Sequence, residues 1–394
     1  MFHMMNYPVR KFVFIAIAVI LIITSGCSSA IQEKPSVNEE TSSGDTTQPT
    51  VQDEESPTSD ESKVNPLEER FKAILAKDSS ELPVLETKEV ATAAAEVQAE
   101  LLAQMKILYD QQASSRELHQ LYIVGIQQLS PEQADRFTAY AVAGLRRNSF
   151  ADSIDPEAYG GNEQLLEAFF QEAERVQFRY IALSQNVATI ENEQVRNLIE
   201  DAQKQGYYVG SVEGMLFYQV DFTQFATYRK YNTPAMAALI ENLAMDDVAP
   251  LTNAAYMIED WTVLAARTYE IDLTLRAKQG GVYEQFLAER FKNHLVMLFF
   301  GTDFSPTYNF ETQMILPEVN NLLNEMRRID NSFMASLIDE YLLLLEQNEG
   351  QINDDLRDRA NKLLDKIDET FGIKEATSGG FGQWMSGDVA PALR

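Results

Sequence analysis

A mainly α fold, a multi-helix bundle or a stack of helical hairpins with one small β-hairpin, is predicted by three observations. Apolar residues recur at helical spacing through most of residues 67–371. Cap-forming residues stand where these stripes begin, and glycines where they end. One stretch only, residues 207–222, changes to β-branched and aromatic composition around a two-residue turn.

At the N-terminus, Arg10 and Lys11 precede an unbroken apolar run, residues 12–23, and then Thr24-Ser25-Gly26-Cys27. The run is shorter than the roughly 18 to 20 residues of a stable span. Residues 1–26 resemble a bacterial lipoprotein signal: a basic n-region, a short apolar h-region and a small-residue cleavage site ending in cysteine. Thr24 stands where Leu, Val or Ile is usual, so a plain cleaved signal is the alternative. The resemblance implies cleavage before Cys27, dual acylation there with palmitate among the chains, and anchoring on the extracytoplasmic face of the cell membrane. Cys27 is the chain's single cysteine, so it has no disulfide partner and no cysteine partner for a metal site.

Residues 28–66 contain no aromatic residue, and nine acids face two lysines. Such a segment cannot bury enough apolar surface to offset its ordering entropy, which predicts a lipid-anchored, disordered acidic linker over 27–66. Its reach is on the order of 35 Å. The whole chain has a formal charge of −28, and losing Arg10 and Lys11 with the signal takes it two units lower, to −30. Phosphate backbones and anionic headgroups repel such a surface, which excludes nucleic acid and leaves lipid on Cys27 as the tether.

The helical domain is expected over 67–372. Val90, Ala94, Val97, Leu101, Met105 and Leu108 form one apolar stripe, and Leu166, Phe169, Phe170, Ala173 and Tyr180 another. Ser130-Pro131-Glu132-Gln133 reads as an N-cap serine, a proline at the first helical position and a capping-box glutamine. Asp155-Pro156 and Thr233-Pro234 are similar starts, and Gly206 and Gly350 are stops. Stripes at Val319 to Ile329, Met334 to Leu345 and Leu356 to Phe371 complete about ten helices. No fixed repeat period is present. Tyr207 to Val212 and Met215 to Phe222 read as strands joined at Glu213-Gly214, and residues 373–394 as a flexible tail.

Chemistry-bearing motifs are sparse. His119 and His294 sit in apolar helical surroundings and read as core histidines, with no ligand spacing around them. No Gly-x-Ser-x-Gly elbow, calcium loop or phosphate-binding glycine loop is present, and Gly160-Gly161 and Gly280-Gly281 read as helix connections. No metal or cofactor is expected. Asp246-Asp247, Glu259-Asp260 and Asp354-Asp355 are the carboxylate pairs that glycoside chemistry would need. Adjacent residues on a helix point about 100° apart, and placement at helix N-termini explains Asp246-Asp247 and Asp354-Asp355 more simply.

Eight aromatic residues fall within 207–231, interleaved with Glu213, Asp221 and Arg229. Most such rings belong to a core, but rings beside charged groups also suit sugars, peptides or a partner protein. Strand alternation sets Phe217 beside Asp221 on one face and Leu216, Tyr218, Val220 and Phe222 on the other. Phe217, Asp221 and Tyr207 are therefore the candidate binding residues. Gly206-Tyr207-Tyr208-Val209, Glu213-Gly214-Met215, Tyr218 and Val220-Asp221-Phe222, with Gly301-Thr302-Asp303-Phe304-Ser305-Pro306, resemble a region of Gram-positive cell-surface lipoproteins. That resemblance covers about a third of the chain and implies location, with no activity or site.

The function expected is a membrane-anchored, non-catalytic helical interaction module, with a protein or a cell-wall glycan as partner. The alternatives are a solute-binding lipoprotein of an importer, which needs two α/β lobes, and a carboxylate-dependent cell-wall hydrolase, which needs a cleft. Cys27→Ser is expected to release the protein into the medium or leave an uncleaved precursor. Fractionation with palmitate labelling checks this, and a variant processed and retained like the parent contradicts anchoring.

Overall fold

The computed structural model describes residues 65–80, 82, 92–151, 154, 162–212, 214–253, 256–278, 280–374 and 378–393. The signal, Cys27 and the linker up to residue 64 lie outside the described residues, as do Val90, Asp155-Pro156, Gly160-Gly161, Glu213 and Ala376-Thr377. The described part contains fifteen α-helices and three two-stranded antiparallel ribbons, so the fold is mainly α as expected.

α1 (Pro66–Ser80) opens on a proline whose missing N–H costs nothing at that position, and Asn65 accepts the Leu67 N–H. α2 (Ala95–Asp110) buries Gln98 and Met105 while Val97 is exposed, so its buried stripe is rotated from the one expected. α3 (Ser115–Gly125) begins with a reciprocal capping box between Ser114 and Glu117. α4 (Pro131–Ala151) is buried on every face from Phe137 to Leu145, where Ala139, Ala141, Ala143 and Gly144 let neighbours approach closely. The capping box expected at its start does not form. The Ser130 N–H donates to Gln98 Oε1 at 3.1 Å instead, and Gln133 Oε1 is buried without a partner.

α5 (Asn162–Arg175) and α6 (Tyr180–Gln185) share the stripe read as one helix. The break falls at Gln177 and Phe178, which both adopt positive φ. α7 (Glu193–Lys204), capped by Asn192, stops before Gly206 as expected. β1 (Tyr207–Val212) pairs with β2 (Met215–Val220) in the register Tyr207↔Val220. Phe222 is not in the strand: Asp221 caps α8 (Phe222–Ala226). α9 (Pro234–Val248) is capped from a distance, since the Thr233 N–H and hydroxyl both donate to Asp135 on α4.

β3 (Thr252–Asn253) and β4 (Tyr256–Met257) form a second ribbon before α10 (Trp261–Leu275) and α11 (Val282–Phe300). β5 (Gly301–Thr302) and β6 (Ser305–Pro306) form a third, followed by α12 (Pro317–Met326), α13 (Phe333–Gln347) and α14 (Asp354–Phe371). The apolar residues of the last three helices point inward as their stripes require. α10 lies against α1, α9, α11 and α13, and α4 against α2, α3 and β2. One continuous core results. No helix among the described residues is long and apolar enough to cross a membrane.

The flexible tail expected at 373–394 is instead docked, with residues 375–377 and 394 outside the described residues. α15 (Gly380–Met385) inserts Trp384 with no exposed surface; its ring stacks on Phe286 at 5.7 Å and its Nε1–H donates to Ala139 O at 3.1 Å. A short segment with one large aromatic carries no period to announce this. Trp384→Ala is expected to cost about 3–5 kcal/mol, the range for truncating a buried aromatic, in urea unfolding of the whole chain. A change near zero would mean the C-terminal segment is not part of the core.

Candidate functional site

The three candidate binding residues of the hairpin do not form an outer face. Tyr207 is fully buried; its hydroxyl donates to Leu145 O at 2.7 Å and lies 2.7 Å from the Ser115 hydroxyl, tying the hairpin to α3 and α4. Asp221 is buried and acts as a helix cap, its Oδ1 accepting from the Thr223 N–H and hydroxyl and from the Gln224 N–H. Phe217 is half-buried, folded back over Gly210, where a side chain would meet the Phe217 ring at 3.3 Å and the Gln219 amide at 3.0 Å. The other face does pack on the helices as expected, with Tyr218 stacked on Tyr207. Both faces are covered because Tyr208, on the face expected to be outer, reaches Gln219 and Asp247.

Phe150, Phe178 and Phe310 are exposed singly, and an exposed pair of rings stands on the other two ribbons. Tyr256 and Phe304 stack at 4.7 Å with planes 15° apart, yet remain 53% and 59% exposed, and Ile258 beside them is 52% exposed. The ribbons are joined by a hydrogen bond from the Met257 N–H to the Ser305 hydroxyl at 3.0 Å. The Ser305 N–H donates in turn to Thr302 Oγ1 at 3.2 Å. Gly301 has φ +79°, and a Cβ there would lie 2.3 Å from Ser305 O, so only glycine lets α11 turn directly into its ribbon. Asp303 and Phe304 form the exposed tip of that turn. Two-residue strands show no alternation, so sequence reasoning missed this site. Its one trace was Gly301 to Pro306, quoted above only for resemblance.

Each carboxylate pair has at least one member with a structural role. Asp246 and Asp247 sit in the last turn of α9, which corrects the helix N-terminus expected for them. Their side chains enter different surroundings, as the 100° offset requires. Asp246 receives Arg267 Nη1 at 3.0 Å and Arg290 Nη2, and Arg267 also donates from Nε and Nη2 to Asp78. Burial alone would raise the Asp246 carboxyl, but the two guanidiniums hold it below the ordinary value. Asp247 accepts the Phe222 N–H at 2.8 Å; burial pushes its carboxyl well above the ordinary value, and the charge of Asp221 adds to the rise. Asp260 caps α10 and Asp354 and Asp355 occupy the first turn of α14.

Among the described residues no group of three or more His, Cys, Asp or Glu side chains converges as a metal site. His119 and His294 are buried in the core as expected. Burial lowers both, and His294, between Arg290, Arg267 and Asp246, is pushed down to about 3. No family model, curated protein or solved structure matches the chain.

Glu270 on α10 titrates in the opposite sense. Burial, with Glu241 nearby, pushes its carboxyl up to about 7, and its Oε2 is buried without a hydrogen bond. Because the folded value lies above the unfolded one, this group's stabilisation is complete below about 4.5 and is lost as pH rises through about 7. His294 has the reverse sign, contributing above its unfolded value of 6.5 and losing stability as pH falls. Glu270→Gln is expected to be more stable than the parent at pH 8 by up to about 3 kcal/mol, with the gain vanishing at pH 4. Urea unfolding at both pH values checks this, and parallel pH profiles would contradict it.

Proposed function

We propose that the chain is a lipid-tethered, extracytoplasmic binding module that holds a neutral cell-wall glycan strand on the Tyr256–Phe304 platform. The observation that carries this reading is the stacked, half-exposed ring pair, locked in place by the Met257–Ser305 hydrogen bond. An aromatic face beside hydroxyl and carboxylate groups offers apolar contact and hydrogen bonding together, which a sugar ring needs. Exposed Asp303 and the acidic chain as a whole disfavour an anionic polymer.

Size argues for a narrow ligand. About half of Tyr256, Phe304 and Ile258 is exposed, which amounts to roughly 300 Å² on the scale of 150–250 Å² per aromatic side chain. A stable protein interface needs about 800 Å² from each partner. The importer alternative calls for two α/β lobes, and every sheet among the described residues is a two-stranded antiparallel ribbon. The anchoring part of the proposal rests on the signal and on Cys27.

Cosedimentation of the mature protein with purified peptidoglycan stripped of anionic polymers tests the platform. Tyr256→Ala and Phe304→Ala are each expected to reduce retention tenfold or more while shifting the melting temperature by no more than about 2 °C, since exposed side chains contribute little to stability. Retention equal to the parent's overturns the reading. So does retention abolished by about 0.5 M salt, which would place the interaction on charges instead of rings.

A further inference from the structure

The open cleft between the end of α1, α6, α7 and the start of α8 has a volume of about 520 Å³, within the range of small-molecule sites. Side-chain amides and hydroxyls line it, among them Ser80, Ser184, Asn186, Gln203 and Gln224, together with Leu82; among the described residues Asp221 is the single ionisable group of the wall and no lining side chain is cationic. This is the place where the hairpin's Asp221 does face a cavity.

Two side chains of this wall have hydrogen-bonding capacity left over. Ser184 is 2% exposed and its hydroxyl has no partner, while its carbonyl is already taken by the Gln203 amide at 2.6 Å. A buried hydroxyl left unmatched costs free energy that an incoming polar group recovers. Asp221 spends Oδ1 on the α8 cap, whereas Oδ2 accepts only the Gln224 amide at 3.0 Å. A carboxylate oxygen can take a further donor. Among the described residues no lysine or arginine lines the wall, which disfavours phosphates and carboxylates, and the four donors on Asp221 already spread its charge. A ligand that donates and accepts through many neutral groups matches this surface.

We infer that this cleft binds a small uncharged polyhydroxylated ligand of mono- or disaccharide size, at a site separate from the ring platform. Ser184 and Asp221 would hydrogen-bond its hydroxyls, and the amides of Gln203 and Gln224 would frame it.

The test is calorimetric titration of the full mature protein with glucose, maltose, N-acetylglucosamine and chitobiose, with spermidine and inorganic phosphate as charged controls. At least one saccharide is expected to bind saturably. Ser184→Ala should weaken it tenfold or more while leaving the melting temperature of the unliganded protein unchanged or higher, because it removes an unmatched buried hydroxyl. Tyr256→Ala should leave this binding intact, so the cleft and the platform stand or fall separately. The proposal is overturned if no saccharide saturates below about 10 mM, a weak limit on the affinity scale. It is equally overturned if Ser184→Ala binds like the parent, if Tyr256→Ala abolishes the binding, or if only spermidine or phosphate binds.

Discussion

Arg267 has no exposed surface, and its charge must be met inside the protein. Asp78, 189 residues earlier in the chain, and Asp246 on the neighbouring helix meet it, and Arg290 shares Asp246 from a third side. This joins α1, α9, α10 and α11 through one set of charges. Removing a single partner would leave a buried charge uncompensated, at a cost of about 3–5 kcal/mol. The same contacts explain how two aspartates can sit in the last turn of α9, where the helix dipole disfavours them. The two arginines compensate Asp246, whereas burial favours the uncharged form of Asp247, which the dipole does not oppose.

That constraint extends to the surface. The β3–β4 ribbon is the connection between α9 and α10, and the β5–β6 ribbon leaves directly from the end of α11. Both ribbons are therefore attached to helices whose positions the buried charges fix. Tyr256 and Phe304 are brought face to face by elements more than forty residues apart in sequence, with Gly301 providing the turn that α11 needs. Exposed rings on two short ribbons would be loosely placed if the helices beneath them could slide.

Much of the helical architecture was legible because its physics is local. The stripes of α12, α13 and α14 repeat with the helical period, and Pro66, Pro131, Pro234 and Gly206 mark boundaries through backbone restrictions that the residues themselves carry. The first hairpin was legible for the same reason. Its inner face was legible too, but the covering of the face expected to be outer was not, because it depends on Tyr208 reaching Asp247, which sequence proximity does not reveal. Asp221 was read as a binding residue, and its role as a cap was hidden because it depends on the chain turning into a five-residue helix too short to show a period. The capping box at Ser130 failed because Gln98, thirty-two residues away, took the backbone donor first. The ring platform and the α15 anchor share one cause: neither is long enough to write a pattern.

The position of Trp384 bears on the order in which the chain can fold. Its partners Ala139 and Phe286 belong to helices made long before it, one of them 245 residues earlier. Contacts at such separation are formed late, because the loop they close must first be paid for in entropy. The space beside α4 and α11 thus stays open until α15 docks, and closure of this part of the core waits on a six-residue segment that has little stability of its own.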